Sequence, residues 1–184
     1  MPHSLEVKGA VSENRWLQPR YELFRPCPLS MALVAISTGG KTSQMLTVTD
    51  AIFPVMDRIV IYSHSHRLDP AWQKLKERIH QKMISQGEDP NLHPFCFENL
   101  TSLPKVLALQ RERVQDAKER GDSKLPQLLI ILSDMLGEMQ HNKVLDSIVT
   151  RGRHAGISVL VDSQVVRGIG SQARKNFRHG VSAA

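Results

Sequence analysis

The sequence predicts an α/β domain organised on a mostly parallel central sheet. Two observations carry this. Short apolar runs rich in strand formers alternate with stretches whose apolar residues recur at helical spacing. The runs are also continuous rather than alternating, as in strands covered on both faces. Strand–helix–strand alternation implies right-handed crossovers and parallel pairing. Ligands of such sheets bind beyond the carboxyl ends of strands, so polar residues just after each predicted strand carry the functional reading.

Residues 1–30 are polar and contain Pro2, Pro19, Pro26 and Pro28; they read as an N-terminal arm leading into a domain over residues 31–184. "MALVAI" (31–36) is the first strand candidate and ends at a glycine turn. Residues 42–53 then place Met45, Val48, Ile52 and Phe53 on one helical face. "RIVIYS" (58–63) is a second buried strand. Asp69-Pro70 is a helix start, with Asp as cap and Pro in the first turn, where no hydrogen bond is lost. Trp72, Leu75, Ile79 and Met83 follow at helical spacing. "PFCF" (94–97) is a short strand candidate. "SLPKVLALQRERVQDAKER" (102–120) reads as a helix with Gly121 at its end. "QLLIIL" (127–132) is the strongest strand candidate. "KVLDSIVTR" (143–151) is a helix stopped by Gly152, and "ISVLVD" (157–162) is the last clear strand.

The bulk numbers bound the function without naming it. A chain of 184 residues is long enough for one domain with a sizeable core. Its formal net charge is +6 and its pI about 9.6, a balance that favours polyanionic partners but equally suits a merely basic soluble protein. Cys27 and Cys96 are the only cysteines and lie far apart, which argues against a disulfide scaffold and a cysteine zinc site. No apolar run approaches the roughly 20 residues that span a bilayer. The N-terminus lacks the apolar segment of a secretory signal.

The chemistry-bearing stretch is "AISTGGKTS" (35–43), which ends as a phosphate-binding loop ends: Gly39-Gly40-Lys41-Thr42. The pattern G-x-x-x-x-G-K-[ST] asks for glycine where the chain has Ala35. The loop follows a predicted strand and opens a helix, so its N–H groups and the positive helix end suit phosphates. Lys41 would reach the terminal phosphates and Thr42 would hold Mg²⁺. Alanine at 35 restricts positive φ only, at little cost if φ there is negative. The competing reading is a glycine-rich turn with an exposed lysine.

"LLIILSD" (128–134) is an apolar strand ending in acid. Two adjacent acids are usual at such an end, one for the cation and one for the attacking water; here they are Ser133 and Asp134. Serine can hydrogen-bond a metal-bound water but brings no charge, and Glu138, one turn on, is a candidate substitute. A helix cap after a core strand is the competing reading for Asp134. Gln164, just past the next strand, could read a phosphate or position water, or be a turn residue. Residues 150–184 are strongly basic through Arg151, Arg153, Arg167, Arg174, Lys175 and Arg178. One arginine could stabilise transition-state charge in a neighbouring subunit and others could contact DNA phosphates; a solvated basic face is the alternative.

Four stretches together resemble the poxvirus-type genome-packaging ATPases of large DNA viruses, a branch of the FtsK/HerA-like P-loop ATPases. They are "MALVAISTGGKTSQML", "RIVIYSHSHRLDPAWQKL", "LLIILSDMLGE" and "LDSIVTRGRHAGISVLVDSQVVRGIGSQARKNF", spanning roughly residues 28–178. The resemblance implies a RecA-like three-layer sandwich and ATP hydrolysis with Mg²⁺. Ser37, Thr38, Gly39, Gly40, Lys41, Thr42 and Ser43 would bind the nucleotide. Thr42 and Asp134 would hold the metal, Gln164 would be the sensor and Arg174 the finger. It further implies a homo-oligomeric ring, double-stranded DNA as partner, a capsid or portal protein, and a place in the host interior or the virion without a membrane anchor. Ala35 and Ser133 depart from the family pattern, so a domain that binds nucleotide or nucleic acid without hydrolysis is the alternative. A small P-loop phosphotransferase fits less well, for lack of an acceptor site or lid. The family usually continues into at least one more strand, which would leave an open sheet edge here; a short or divergent homologue, a fragment truncated at the C-terminus and a decaying copy are the readings of this.

Overall fold

The computed structural model describes residues 15–35, 41–139, 142–163 and 179–183. The strands are β1 (Ser30–Ala35), β2 (Arg58–Ser63), β3 (Cys96–Phe97), β4 (Leu128–Ser133), β5 (Ile157–Ser163) and β6 (His179–Ala183). They form one six-stranded sheet in the order β3-β2-β4-β5-β1-β6, and every ladder among the described residues is parallel. The helices are α1 (Lys41–Ile52), α2 (Ala71–Ser85), α3 (Leu103–Glu119), α4 (Leu136–Met139) and α5 (Lys143–Arg151).

Successive strand residues face opposite sides of a sheet, so each apolar run feeds two cores at once. Met31, Leu33, Ile59, Ile61, Leu129, Ile131 and Leu160 meet α1 and α2 on one face. Trp72, Leu75, Ile79 and Met83 are all buried there, as the spacing predicts. Ala32, Val60, Tyr62, Ile130, Leu132, Val159 and Val161 meet α3 and α5 on the other face through Leu103, Leu107, Leu145 and Ile148. The result is a three-layer sandwich. Its strands read as unbroken apolar runs because neither sheet face meets water.

Local signals set most boundaries. Asp69 Oδ1 accepts from Ala71 N at 2.9 Å, so the Asp-Pro pair opens α2 as read from the sequence. Asn99 accepts from Thr101 N at 3.0 Å and starts a 3-10 turn (Leu100–Ser102) that leads into α3. The "PFCF" stretch yields only the two-residue β3. Gly152 caps α5 at Arg151, as the sequence predicts. Its φ is −57°, and the chain runs on through a 3-10 turn (Gly152–Ala155) before reversing at Gly156, whose φ is +68°. A Cβ at Gly156 would stand 2.6 Å from both Pro126 O and the Trp16 ring, so glycine is required there by conformation and by space.

The proline-rich stretch before β1 lies against the domain. Phe24, Cys27 and Leu29 join the core on the α1/α2 face. Leu29 N donates to Ser158 Oγ at 3.1 Å, and Val159 N donates to Leu29 O at 2.8 Å. The sequence reading missed the strand that follows β5: β6 pairs with β1 from Met31↔His179 to Ala35↔Ala183 and itself lies at the sheet edge among the described residues. "HGVSA" escaped the sequence reading because it is short, polar and follows a basic stretch.

Candidate functional site

Helix α1, leaving β1, packs on one sheet face, and α5, after β4, packs on the other. Connections diverging in this way open a crevice beyond the carboxyl ends of the strands. Between β1 and β4 lies β5, in register with both: Leu33 pairs with Asp162, and Leu132 with Val161.

On the β1 side, Ala35 is the last strand residue and α1 begins at Lys41. Asp134 is the one non-glycine residue with positive φ among the described residues, so Ala35 bears no left-handed strain. Thr42 and Ser43 occupy the first turn of α1, where backbone N–H groups lack helical partners. Ser37, Thr38, Gly39 and Gly40 lie outside the described residues, as does the side chain of Lys41.

The β4 end is built around a strained acid. Asp134 is exposed, with φ of 57°, a conformation that costs an L-residue of order 1 kcal/mol unless local hydrogen bonds hold it. Two contacts supply that restraint. Asp134 N donates to Asp162 Oδ1 at 2.9 Å, and Ser65 Oγ donates to Asp134 Oδ2 at 3.0 Å. Ser65 is set in turn by Ser63 Oγ, which accepts from Ser65 N at 3.1 Å. Ser133 Oγ donates to Asp162 Oδ2 at 2.6 Å, with both residues buried. The carboxyl ends of β2, β4 and β5 are thus linked through side chains.

Sequence reasoning missed Ser65 and Asp162. Ser65 lies in the serine-containing turn quoted for the resemblance. Asp162 had a visible signal: it is the one acid in an apolar strand, adjacent in register to Ser133. Glu138, by contrast, is committed to its neighbours. Its Oε2 accepts from Leu100 N at 2.9 Å, and its Oε1 lies 3.3 Å from His64 Nε2. This carboxylate pins α4 to the entry of α3. His66 is buried, and burial, reinforced by the charges of Lys76 and Arg67, pushes its imidazole below the usual histidine range.

Gln164, Arg167, Arg174, Lys175 and Arg178 lie outside the described residues. Arg151 and Arg153 are exposed just before β5, toward the amino-terminal ends of the strands, away from Asp134 at the carboxyl end of β4. A cavity of about 450 Å³ also lies away from the strand carboxyl ends, between α3 and the starts of β2 and β4; Arg58, Lys105 and Arg113 are on its wall.

The donor set suits a hard cation shared with a nucleotide. Mg²⁺ is usually held by one or two carboxylates, with waters and phosphates completing the octahedron. The Thr42 hydroxyl and the exposed Asp134 carboxylate are donors of that kind. Among the described residues no group of three or more His, Cys, Asp or Glu forms a metal cage, and shared coordination needs none.

Comparison with known proteins agrees with this architecture. The cytoplasmic domain of EssC superposes with a TM-score of 0.55 at 13% identity, over 83% of this chain and 32% of that one. The cytoplasmic domain of the Thermomonospora curvata type VII secretion ATPase EccC gives 0.54 at 11% identity, over 85% of this chain and 19% of that one. The chain therefore spans about a third or less of these proteins, and at such identity the likeness concerns the fold. No curated protein matches the chain in sequence. No helix among the described residues is long and apolar enough to cross a membrane. The poxvirus A32 protein family matches residues 19–184, nearly the whole sequence. With this match and a three-layer parallel sheet shared with P-loop ATPase domains, the chain belongs to the poxvirus A32 protein family and carries its P-loop ATPase fold.

Proposed function

We propose that this domain binds ATP with Mg²⁺ and hydrolyses it to drive double-stranded DNA into a viral capsid. It would work as a homo-oligomeric ring engaged with a capsid or portal protein, in the host interior or the virion. The observation that carries the reading is the restrained Asp134. An exposed carboxylate is held in a left-handed backbone at a strand end by bonds from two other strand ends. Strain held this way is characteristic of functional positions, whereas a simple helix cap needs neither the strain nor the bracing.

The roles are those that the family resemblance implies for these residues. The loop Ser37–Ser43 would cradle the phosphates at the start of α1, with Lys41 on the terminal phosphate charge. Thr42 and Asp134 would hold the cation, which lends charge neutralisation when bound. Gln164 would sense the terminal phosphate. Arg174 would reach into the neighbouring subunit's site. A net charge of +6 suits a DNA-phosphate partner, and the exposed Arg151 and Arg153 would offer phosphate contacts away from the nucleotide.

The test is ATP turnover by the purified chain with Mg²⁺, with and without duplex DNA, beside Lys41→Ala. DNA-stimulated turnover that Lys41→Ala abolishes supports the motor. ATP binding without turnover, lost in Lys41→Ala, supports the second reading, a non-hydrolysing domain that assembles with partners. The serine at position 133 is the feature that favours that alternative. Absence of both binding and turnover overturns the proposal.

A further inference from the structure

The two strand-end residues Ser133 and Asp162 touch, and their chemistry answers the question raised by the serine. A seryl hydroxyl has one hydrogen to donate and lone pairs to accept with. Here that hydrogen is directed to Asp162 Oδ2 at 2.6 Å, within the range for a bond from a hydroxyl to a charged oxygen. Ser133 therefore has only acceptor capacity left for anything else it meets. An acceptor oxygen is also what an aspartate offers in that place. Asp162 stands directly behind it, 2% exposed, one strand away.

The position of Asp162 makes the exchange geometrically simple. Parallel strands in register place equivalent residues side by side about 4.8 Å apart. With Leu132 opposite Val161, the next residues along, Ser133 and Asp162, end β4 and approach the end of β5 at the same level. On its other side Asp162 is level with Leu33 of β1, two residues before the strand gives way to the loop. A carboxylate at this point lies between the phosphate-loop strand and the acid strand. Its second oxygen, Oδ1, accepts from Asp134 N at 2.9 Å, so the same group also sets the backbone of the exposed acid.

We infer that Asp162 supplies, through Ser133, the negative charge and acceptor that the first acid of the β4 terminus would otherwise provide. Ser133 and Asp162 together act as one divided aspartate, and Asp162 is a positioning residue for cation-dependent nucleotide binding. This rests on the ATPase reading above. It changes the meaning of Ser133: the charge missing from β4 has a source on β5.

The test compares Mg²⁺·ATP binding with ATP binding in excess chelator, by calorimetry on the full chain, for five proteins. They are the parent, Asp162→Asn, Ser133→Ala, Ser133→Asp and the exchange Ser133→Asp/Asp162→Ser. Partners that orient a metal's ligands typically change metal affinity about 10–100-fold when removed. Asp162→Asn should therefore weaken Mg²⁺·ATP binding about tenfold or more while leaving chelated ATP binding unchanged. Ser133→Ala should do the same, and serves if Asp162→Asn lowers the melting temperature too far to measure. Ser133→Asp should bind worse than the parent, because two carboxyl groups would meet where one hydroxyl bond now sits. The exchange should restore the Mg²⁺ advantage, a rescue that a merely structural bond would not give. A parent-like Mg²⁺ advantage in folded Asp162→Asn and Ser133→Ala overturns this inference alone. So does a folded exchange variant that fails to recover. A parent chain that binds no ATP under either condition overturns the ATPase reading, and this inference with it.

Discussion

Ser65 Oγ donates to Asp134 Oδ2 at 3.0 Å, joining the turn after β2 to the acid after β4. The two residues are far apart in sequence, and only the pairing of β2 with β4, in register to Ser63↔Ser133, brings the turns together. The bond orients one oxygen of a carboxylate that is otherwise open to solvent. Ser65→Ala removes that orientation and leaves the core untouched. The variant should lose about tenfold in ATP turnover by analogy with other groups that orient metal ligands. Its melting temperature should stay within a degree or two of the parent, since the bond is exposed. Steady-state kinetics beside thermal unfolding checks this; an equal loss in both would mean that the serine only holds the fold.

Gly156 makes the turn into β5 with φ of +68° and has no room for a side chain. Gly87 has a similar φ of +75° but open space around it. Both alanine variants incur the left-handed cost of about 1 kcal/mol. Gly156→Ala should lose a further 1–3 kcal/mol or so, the usual range for overpacking, because Pro126 O and Trp16 must move. Denaturant unfolding of the two variants should separate conformation from clash.

Glu88 joins three elements, accepting from Arg58 Nε at 3.0 Å on β2 and from Arg113 Nη2 at 2.5 Å on α3. Burial alone would raise its pKa, but the hydrogen bonds and charges of the two arginines outweigh it and hold the carboxyl below its ordinary range. A depressed folded-state pKa means stability present above the unfolded value, near 4.5, and lost as pH falls below it. Glu88→Gln should therefore cost about 1–2 kcal/mol at pH 7, discounted for the half-exposed Arg113. The cost should shrink toward pH 3. Melting temperature against pH for both proteins checks the sign.

The two thiols should be poor nucleophiles in the folded chain. Burial pushes Cys96 up to about 11 and raises Cys27 as well, even though Cys27 shares a 3.5 Å contact with Ser158 Oγ. The thiolate is the reacting species, so labelling by iodoacetamide at pH 7.5 should be slow until the chain is unfolded. Rapid labelling of Cys27 under native conditions would show that the stretch before β1 opens away from β5.

Much of the architecture was legible in the chain because it rests on local rules. Continuous apolar runs become strands covered on both sides, and helical spacing at Trp72, Leu75, Ile79 and Met83 buries one stripe. Asp69-Pro70 opens a helix wherever it stands, and RIVIYS is β2 residue for residue. Gly152 ends α5 where the sequence puts its stop, and the sharp reversal follows at Gly156. One strand was missed for a local reason: HGVSA was too polar to read as a strand, yet it pairs with β1.

The sequence by itself determined the fold class, the alternation of elements and the placing of polar residues after β1, β4 and β5. These depend on interactions within a few residues of each other. Only the tertiary structure decided what those polar residues touch. Ser133 reads as a lost charge until β5 is laid beside β4 and Asp162 lies 2.6 Å away. Glu138 reads as a spare acid until Leu100 N and His64 are found to occupy it. Strand order and register set those contacts, and they come from burying two cores at once, a property of the whole chain that no short stretch carries.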